Sequence, residues 1–253
     1  KFCDENDIRK IVGENDTQLK LSVMADAERT DYREDVLPKE QSVLDMIRVA
    51  TYIHQNPTAV DMIKDFHDKG YETTVNLMAV SIVREAEFEE ALEVLTATPV
   101  DVIYLVDSFG ALYSEEIQYL TTKYIKYAQA AGKKVGIHTH NNQQLAYANT
   151  IEALILGASY LDATIGGLGR GAGNCPTELL LGFLKNPKFH LRPVLKCIQE
   201  QLVPMKQKVF WGFDIPYMIT GQLNVHPRAA MEFIDGDERY DYVSFYDKIM
   251  EEE

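Results

Sequence analysis

In Lys134-Val135-Gly136-Ile137-His138-Thr139-His140-Asn141-Asn142, residues Lys134–His140 read as a strand that ends in two histidines, with two asparagines after it. Side chains two apart on a strand share a face, so both imidazoles can converge on one point. A helical pattern follows over Gln143–Leu156 and stops at Gly157. One strand and one helix closed by glycine is the unit from which the rest of the chain is built. Neutral imidazole is the commonest side-chain metal ligand. The pair therefore reads either as a metal site or as two histidines hydrogen-bonded at a strand end, and what surrounds it decides.

Working outward, five more runs rich in valine, isoleucine and leucine recur at similar intervals: Gln18–Ala25, Leu44–Ile53, Glu72–Val80, Asp101–Val106 and Tyr160–Ile165. Most are nearly continuous apolar runs, the mark of parallel strands covered on both faces. Helical patterns lie between them. Pro57–Lys69 starts with proline in the first turn and stops at Gly70. Glu85–Thr96 puts Phe88, Leu92 and Leu95 on one face, and Ser114–Ala131 has Ser114 as N-cap and acids in its first turn. The charged linker Asp26–Gln41 holds Pro38.

Strands alternating with crossover helices mean a parallel α/β fold, either an open doubly wound sheet or a closed (β/α)₈ TIM barrel. Six strands do not close such a barrel, and two further strand–helix units ahead of the first would. Lys1–Arg9 reads like the middle of a domain, with Phe2 and Ile8 among charges and no helix start signal. The expectation is a barrel lacking its first two strand–helix units. After Pro187 the alternation stops, which sets residues 1–187 apart as a partial barrel and 188–253 as a C-terminal helical extension. Within the extension Leu191–Lys208 reads as a helix despite Pro193 and Pro204. Trp211-Gly212 and Pro216-Tyr217 read as turns, and a short helix is expected near His226-Pro227. The chain ends on Glu251-Glu252-Glu253.

A formal charge of −14 argues against a nucleic-acid backbone or an anionic membrane surface as partner. No apolar run approaches the roughly eighteen residues of a spanning helix. Cysteines at positions 3, 175 and 197 form no Cys-x-x-Cys pair, which fits a reducing, cytoplasmic setting. Cys175 is expected to be a small buried or capping residue, the alternative being a reactive thiol.

Immediately after the last strand comes Gly166-Gly167-Leu168-Gly169-Arg170-Gly171-Ala172-Gly173-Asn174. Part of it matches a dinucleotide fingerprint, but Asn186-Pro187-Lys188 stands where that motif needs an acidic strand end. The alternative is a loop whose glycines, Gly169 and Gly171 among them, let backbone approach a bound small molecule. Asn174 is then either a turn residue or a side chain reaching back to the histidines. Pro176 is expected as first helical residue with Cys175 as cap, and Glu178 as structural.

Asp107-Ser108-Phe109-Gly110 follows a strand in the same relative place, where parallel α/β folds keep their chemistry. Asp107 reads equally as an Asx turn. Arg48, inside Met46-Ile47-Arg48-Val49-Ala50, needs an anionic partner if buried, either a substrate carboxylate or a structural acid. His54, His67, His190 and His226 read as solvated or capping.

The stretch from Gly136 through Thr150, with Asp162-Ala163-Thr164 and the glycine loop, resembles the pyruvate-type metallolyase superfamily. That group holds 4-hydroxy-2-oxovalerate aldolase, 3-hydroxy-3-methylglutaryl-CoA lyase and the isopropylmalate and homocitrate synthases. Arg48-Val49-Ala50-Thr51 and Asp107-Ser108-x-Gly110-Ala111 resemble the aldolase branch, and the likeness runs from about Leu19 to Leu184.

The resemblance implies a (β/α)₈ barrel with manganese or magnesium at its C-terminal mouth. It implies His138 and His140 as ligands, with Asn174 as a ligand or close by. Arg48, Asp107, Ser108, Gly169 and Gly171 would border the 2-oxo acid substrate, with Tyr217 over the site or else packed in the core. A further aspartate ligand and the general base would lie upstream. The activity implied is aldol cleavage of a 4-hydroxy-2-oxo acid to pyruvate and an aldehyde. The alternatives are Claisen condensation of an acyl-CoA with a 2-oxo acid, or a catalytically silent scaffold. A homo-oligomer and an aldehyde dehydrogenase partner belong to the same set of expectations.

Overall fold

The computed structural model of the chain describes residues 4–13 and 15–252. Strands β1 (Ser22–Asp26), β2 (Met46–Thr51), β3 (Glu72–Leu77), β4 (Val102–Asp107), β5 (Lys134–Thr139) and β6 (Tyr160–Leu161) lie in one parallel sheet in sequence order. All six expected runs contain strands, most of them shorter than expected, with β1 and β4 ending one residue later. The helices of seven or more residues are α1 (Glu5–Val12), α2 (Asn56–Asp68), α3 (Glu85–Thr96), α4 (Ser114–Ala130), α5 (Ala146–Leu156), α6 (Thr177–Leu184), α7 (Leu191–Cys197), α8 (Ile215–Gln222), α9 (Arg228–Ile234) and α10 (Tyr242–Glu252). Two compact units share them, Lys1–Val106 with Thr122–Gly136, and Asp107–Thr121 with Ile137–Glu253.

In the first unit the register places Met24, Arg48 and Thr74 side by side across β1, β2 and β3, and Asn76 beside Tyr104 across β3 and β4. Ile47, Val49, Val75, Leu77, Ile103 and Leu105 are wholly buried, as are Ile63 and Phe66 on the inner face of α2. Each such side chain contributes roughly 1.5–3 kcal/mol on burial. This is what holds the alternating pattern in place.

Tyr104 sits against Gly136, where a Cβ would lie 2.5 Å from its ring. The Arg48 guanidinium lies 4.5 Å from the centre of that ring, a cation–π contact. Arg48 is half-buried, so the demand for an anionic partner that full burial would make is relaxed.

The N-terminal reading also needs correction. Residues 1–3, with Phe2 and Cys3, lie outside the described residues, but helix α1 does carry a start signal. Asp4 caps it by accepting from the Asp7 amide at 2.9 Å, and Asp7 answers as the third residue of a capping box. An aspartate serves there in place of the usual glutamate or glutamine, so the pattern is harder to see. The linker Asp26–Gln41 is tied down rather than loose. Lys69 Nζ donates to the carbonyls of Tyr32 and Arg33, and the Tyr71 hydroxyl donates to Leu37 at 2.7 Å.

In the second unit four expectations shift. Ser114 is the first residue of α4 rather than its cap, because Glu116 reaches back to the Tyr113 amide at 2.9 Å. Helix α5 begins at Ala146, three residues later than expected, since Asn141 Oδ1 accepts from the Ala146 amide and holds the preceding residues in a turn. Pro176 is extended and caps α6, leaving Cys175 outside it. Pro216 lies inside the first turn of α8, where its missing N–H removes no bond, so Pro216-Tyr217 is helical rather than a turn.

The run from Leu191 is helical as expected but only to Met205, with a π-helical stretch over Ile198–Leu202. Pro204 in a regular α-helix would press on the carbonyl four residues back, and the wider turn relieves that clash. The tail helices then pack Tyr217, Ile219, Ala230, Phe245 and Ile249 with Ala172 into a core of their own.

Candidate active site

Every residue of this site belongs to the second unit. Strand β5 ends by placing His138 and His140 with ring centres 5.1 Å apart, nearly perpendicular. His138 Nδ1 lies 2.9 Å from Asp162 Oδ2, just beyond β6. With Nδ1–H donated to that carboxylate, Nε2 is the nitrogen left to coordinate. Desolvation, the neighbouring His138 and the Arg170 charge push His140 down to about 3. It is therefore a neutral imidazole across the working pH range, the form that binds a metal.

Asn174 is brought to this pair by backbone. His140 and Asn174 form an antiparallel bridge, and the Asn141 amide donates to the Gly173 carbonyl at 2.9 Å. Asn174 Nδ2 donates to Leu168 at 3.2 Å, whereas its buried Oδ1 accepts no hydrogen bond among the described residues. An orphaned buried acceptor calls for an ion or a water. Two imidazoles and an amide oxygen are a donor set without thiolate, suited to a divalent cation. Among the described residues no group of three His, Cys, Asp or Glu side chains could hold one.

The glycine loop is shaped around these groups. A Cβ on Gly169 would lie 2.5 Å from Asn174 Nδ2, and one on Gly171 would lie 2.5 Å from the Tyr217 ring. Gly171 and Gly173 also have φ of +58° and +84°, a region that side chains strain to enter. Trp211 Nε1 donates to Gly166 and the Gly212 amide to Gly171, each at 3.0 Å, so the tail clamps the loop. Glu178 is structural as expected, accepting from the Gly166 amide.

Asp107 ends β4 almost fully buried, and its Oδ1 accepts from the Ala111 amide at 3.0 Å, the turn-capping role that was one of its two readings. Burial pushes it up to about 7 against the pull of amides in the following turn. The Ser108 carbonyl accepts from Arg170 Nη2 at 3.1 Å. Tyr217 is buried in the tail core with its ring on Gly171, and burial raises its hydroxyl. Its carbonyl accepts from Asn142 Nδ2 at 3.1 Å. Cys175 is fully buried and pushed up to about 11 by burial, which favours the buried structural residue over the reactive thiol. His226 is a capping residue, as expected, with Nδ1 accepting from the Arg228 amide. Arg48 lies in the other unit.

Sequence reasoning passed over Asp162 as a site residue, although its position just past a strand end was a usable signal. It also passed over Arg170 and Asn142. An arginine among glycines was the visible sign of the first, whereas nothing local marked the second as a latch for the tail.

Comparison with known proteins decides the family, because residues 45–200 match the HMGL-like family model. The chain belongs to the HMGL-like family. It is 33% identical over 178 residues to a 4-hydroxy-2-oxovalerate aldolase of Thermus thermophilus, covering 68% of this chain and 50% of that one. An oxaloacetate decarboxylase of Mycobacterium tuberculosis is 31% identical, covering 60% and 44%. Among solved structures, the N-terminal domain of a Bacteroides vulgatus protein designated an aldolase superposes with TM-score 0.74 at 28% identity, covering 90% of this chain and 75% of that one. This HMGL-like chain spans about half the length of the curated relatives it matches.

Proposed function

We propose that this HMGL-like chain carries the catalytic centre of a divalent-metal-dependent carbon–carbon lyase that releases pyruvate and an aldehyde from a 4-hydroxy-2-oxo acid. The observation that carries the reading is the backbone bridge that sets Asn174, with its unpartnered Oδ1, beside His140 in the His138–His140 pair. His138, His140 and Asn174 would hold the cation. Two imidazoles with a hard amide oxygen suit manganese or magnesium better than a thiolate-rich zinc site does. When bound, the cation supplies Lewis-acid stabilisation of the negative charge that develops on the keto oxygen as the bond breaks.

The protein's own residues do the rest. Asp162 fixes the tautomer and the plane of His138. Gly169 and Gly171 let the loop backbone approach the substrate, and Asp107 and Ser108 border it from β4. Arg48 stays with the other unit, packed on the Tyr104 ring. In this reading residues 1–187 are part of a (β/α)₈ barrel and 188–253 an extension that clamps its loops.

Oxaloacetate decarboxylation, the reaction for which the Mycobacterium relative is named, leaves the same pyruvate enolate and would use the same site. The test is pyruvate release from 4-hydroxy-2-oxopentanoate by the intact gene product, with and without Mn²⁺, beside His138→Ala. Metal-stimulated release that is lost in the variant supports the reading. Metal-independent release, or release that persists in His138→Ala, overturns it.

A further inference from the structure

Arg170 is an exposed cation in a loop of small residues. Gly169 before it has no room for a Cβ against Asn174, and Gly171 after it none against Tyr217. Its Nη2 donates to the Ser108 carbonyl at 3.1 Å. Next to Ser108, the Phe109 ring meets the His226 ring edge-on with centres 5.4 Å apart. His226 Nδ1 accepts from the Arg228 amide at 3.1 Å, which makes Nε2 the nitrogen that carries its proton as a donor. Burial pushes His226 down and Tyr217 up, and in each the next influence is the Arg170 charge. Arg170 thus stands between a glycine packed on Asn174 and a glycine packed on Tyr217, and its charge is felt by Tyr217 and His226.

We propose that Arg170 is a specificity residue that binds a second acidic group on the substrate, so that the site prefers 2-oxo acids carrying a further carboxylate at the far end. The inference rests on the function proposed above, in which the 2-oxo acid end faces the histidines and Asn174. A loop built only to let backbone approach needs no cation. A chain of net charge −14 repels a dianion unless a local positive group offsets the field. The planar fork of arginine matches a carboxylate bidentately, and its place among pinned glycines holds that fork in register.

The experiment compares two stable probes that differ only in the terminal group, 2-oxoglutarate and 2-oxopentanoate, by calorimetric titration of the full chain with Mn²⁺ present. The wild type is expected to bind 2-oxoglutarate about 10–100-fold more tightly, the range of one charge-assisted contact. Arg170→Gln should erase that preference while leaving 2-oxopentanoate affinity unchanged, and Arg170→Lys should keep part of it. Equal binding of both probes by the wild type, or equal weakening of both in Arg170→Gln, overturns the inference and leaves Arg170 as a clamp on Ser108. If neither 2-oxo acid binds the wild type, the inference falls together with the function it rests on.

Discussion

His138 Nδ1 and Asp162 Oδ2 stand 2.9 Å apart, so the first imidazole of the pair is oriented before any ligand arrives. Both side chains are largely buried, with 22% and 16% of their surfaces exposed, and the contact is little weakened by solvent. Its partner across the site, His140, is held by backbone instead, through its amide on the Asp107 carbonyl at 3.2 Å.

Asp162→Asn keeps the shape of that contact but replaces an anion by an amide. The expected result is a 10–100-fold loss of Mn²⁺ affinity, the usual effect of removing such an outer partner, with the thermal midpoint nearly unchanged. Titration of wild type and variant with Mn²⁺ checks it, and unchanged affinity would show that the carboxylate contributes nothing to the metal.

Asp107 gives the chain a stability that falls as pH rises. Its carboxyl is raised from 3.8 to about 7 by burial, so between those values the folded state holds a proton that the unfolded state has released. By linkage the contribution is fully present below about pH 4 and is lost through about pH 7, by up to about 4 kcal/mol. Asp107→Asn stays neutral and keeps an acceptor for the Ala111 amide. The difference in unfolding free energy between wild type and variant should therefore change across pH 4–7, and a flat difference would contradict the burial argument.

Gly171→Ala is expected to destabilise the protein by about 1–3 kcal/mol, combining a strained φ with overpacking. The added Cβ would meet the Tyr217 ring at 2.5 Å, so the tail must shift. Denaturant unfolding measures the loss, and limited proteolysis should show the tail cleaved sooner than in the wild type.

Cys175 should resist alkylation in the native protein at pH 8, because it is fully buried and its thiol is pushed up to about 11 by burial. Cys197 is half-buried and should label first. Peptide mapping after iodoacetamide treatment distinguishes the two, and early labelling of Cys175 would mean that its cluster with Ala146 and Leu180 opens readily.

The sheet was legible because nearly continuous apolar runs admit few other folds once they alternate with helices closed by Gly70, Gly132 and Gly157. The ends of elements were less so, since they depend on single side chains reaching across a few residues. Glu116 on the Tyr113 amide moved one helix start, and Asp7 on the Asp4 amide created another. The histidine pair and Asn174 were legible from spacing and from the resemblance. What stayed hidden were contacts between segments distant in sequence, such as Asn142 on the Tyr217 carbonyl and Arg170 on the Ser108 carbonyl, which no local pattern encodes.

The most direct test of the account is Mn²⁺ binding by the intact protein, followed by paramagnetic resonance, in wild type, His140→Ala and Asn174→Ala. The account predicts one ion per wild-type chain, none in His140→Ala, and weakened binding in Asn174→Ala. A wild type that binds no ion, or a His140→Ala protein that binds it as well as wild type does, would contradict the metal site on which the proposed chemistry depends.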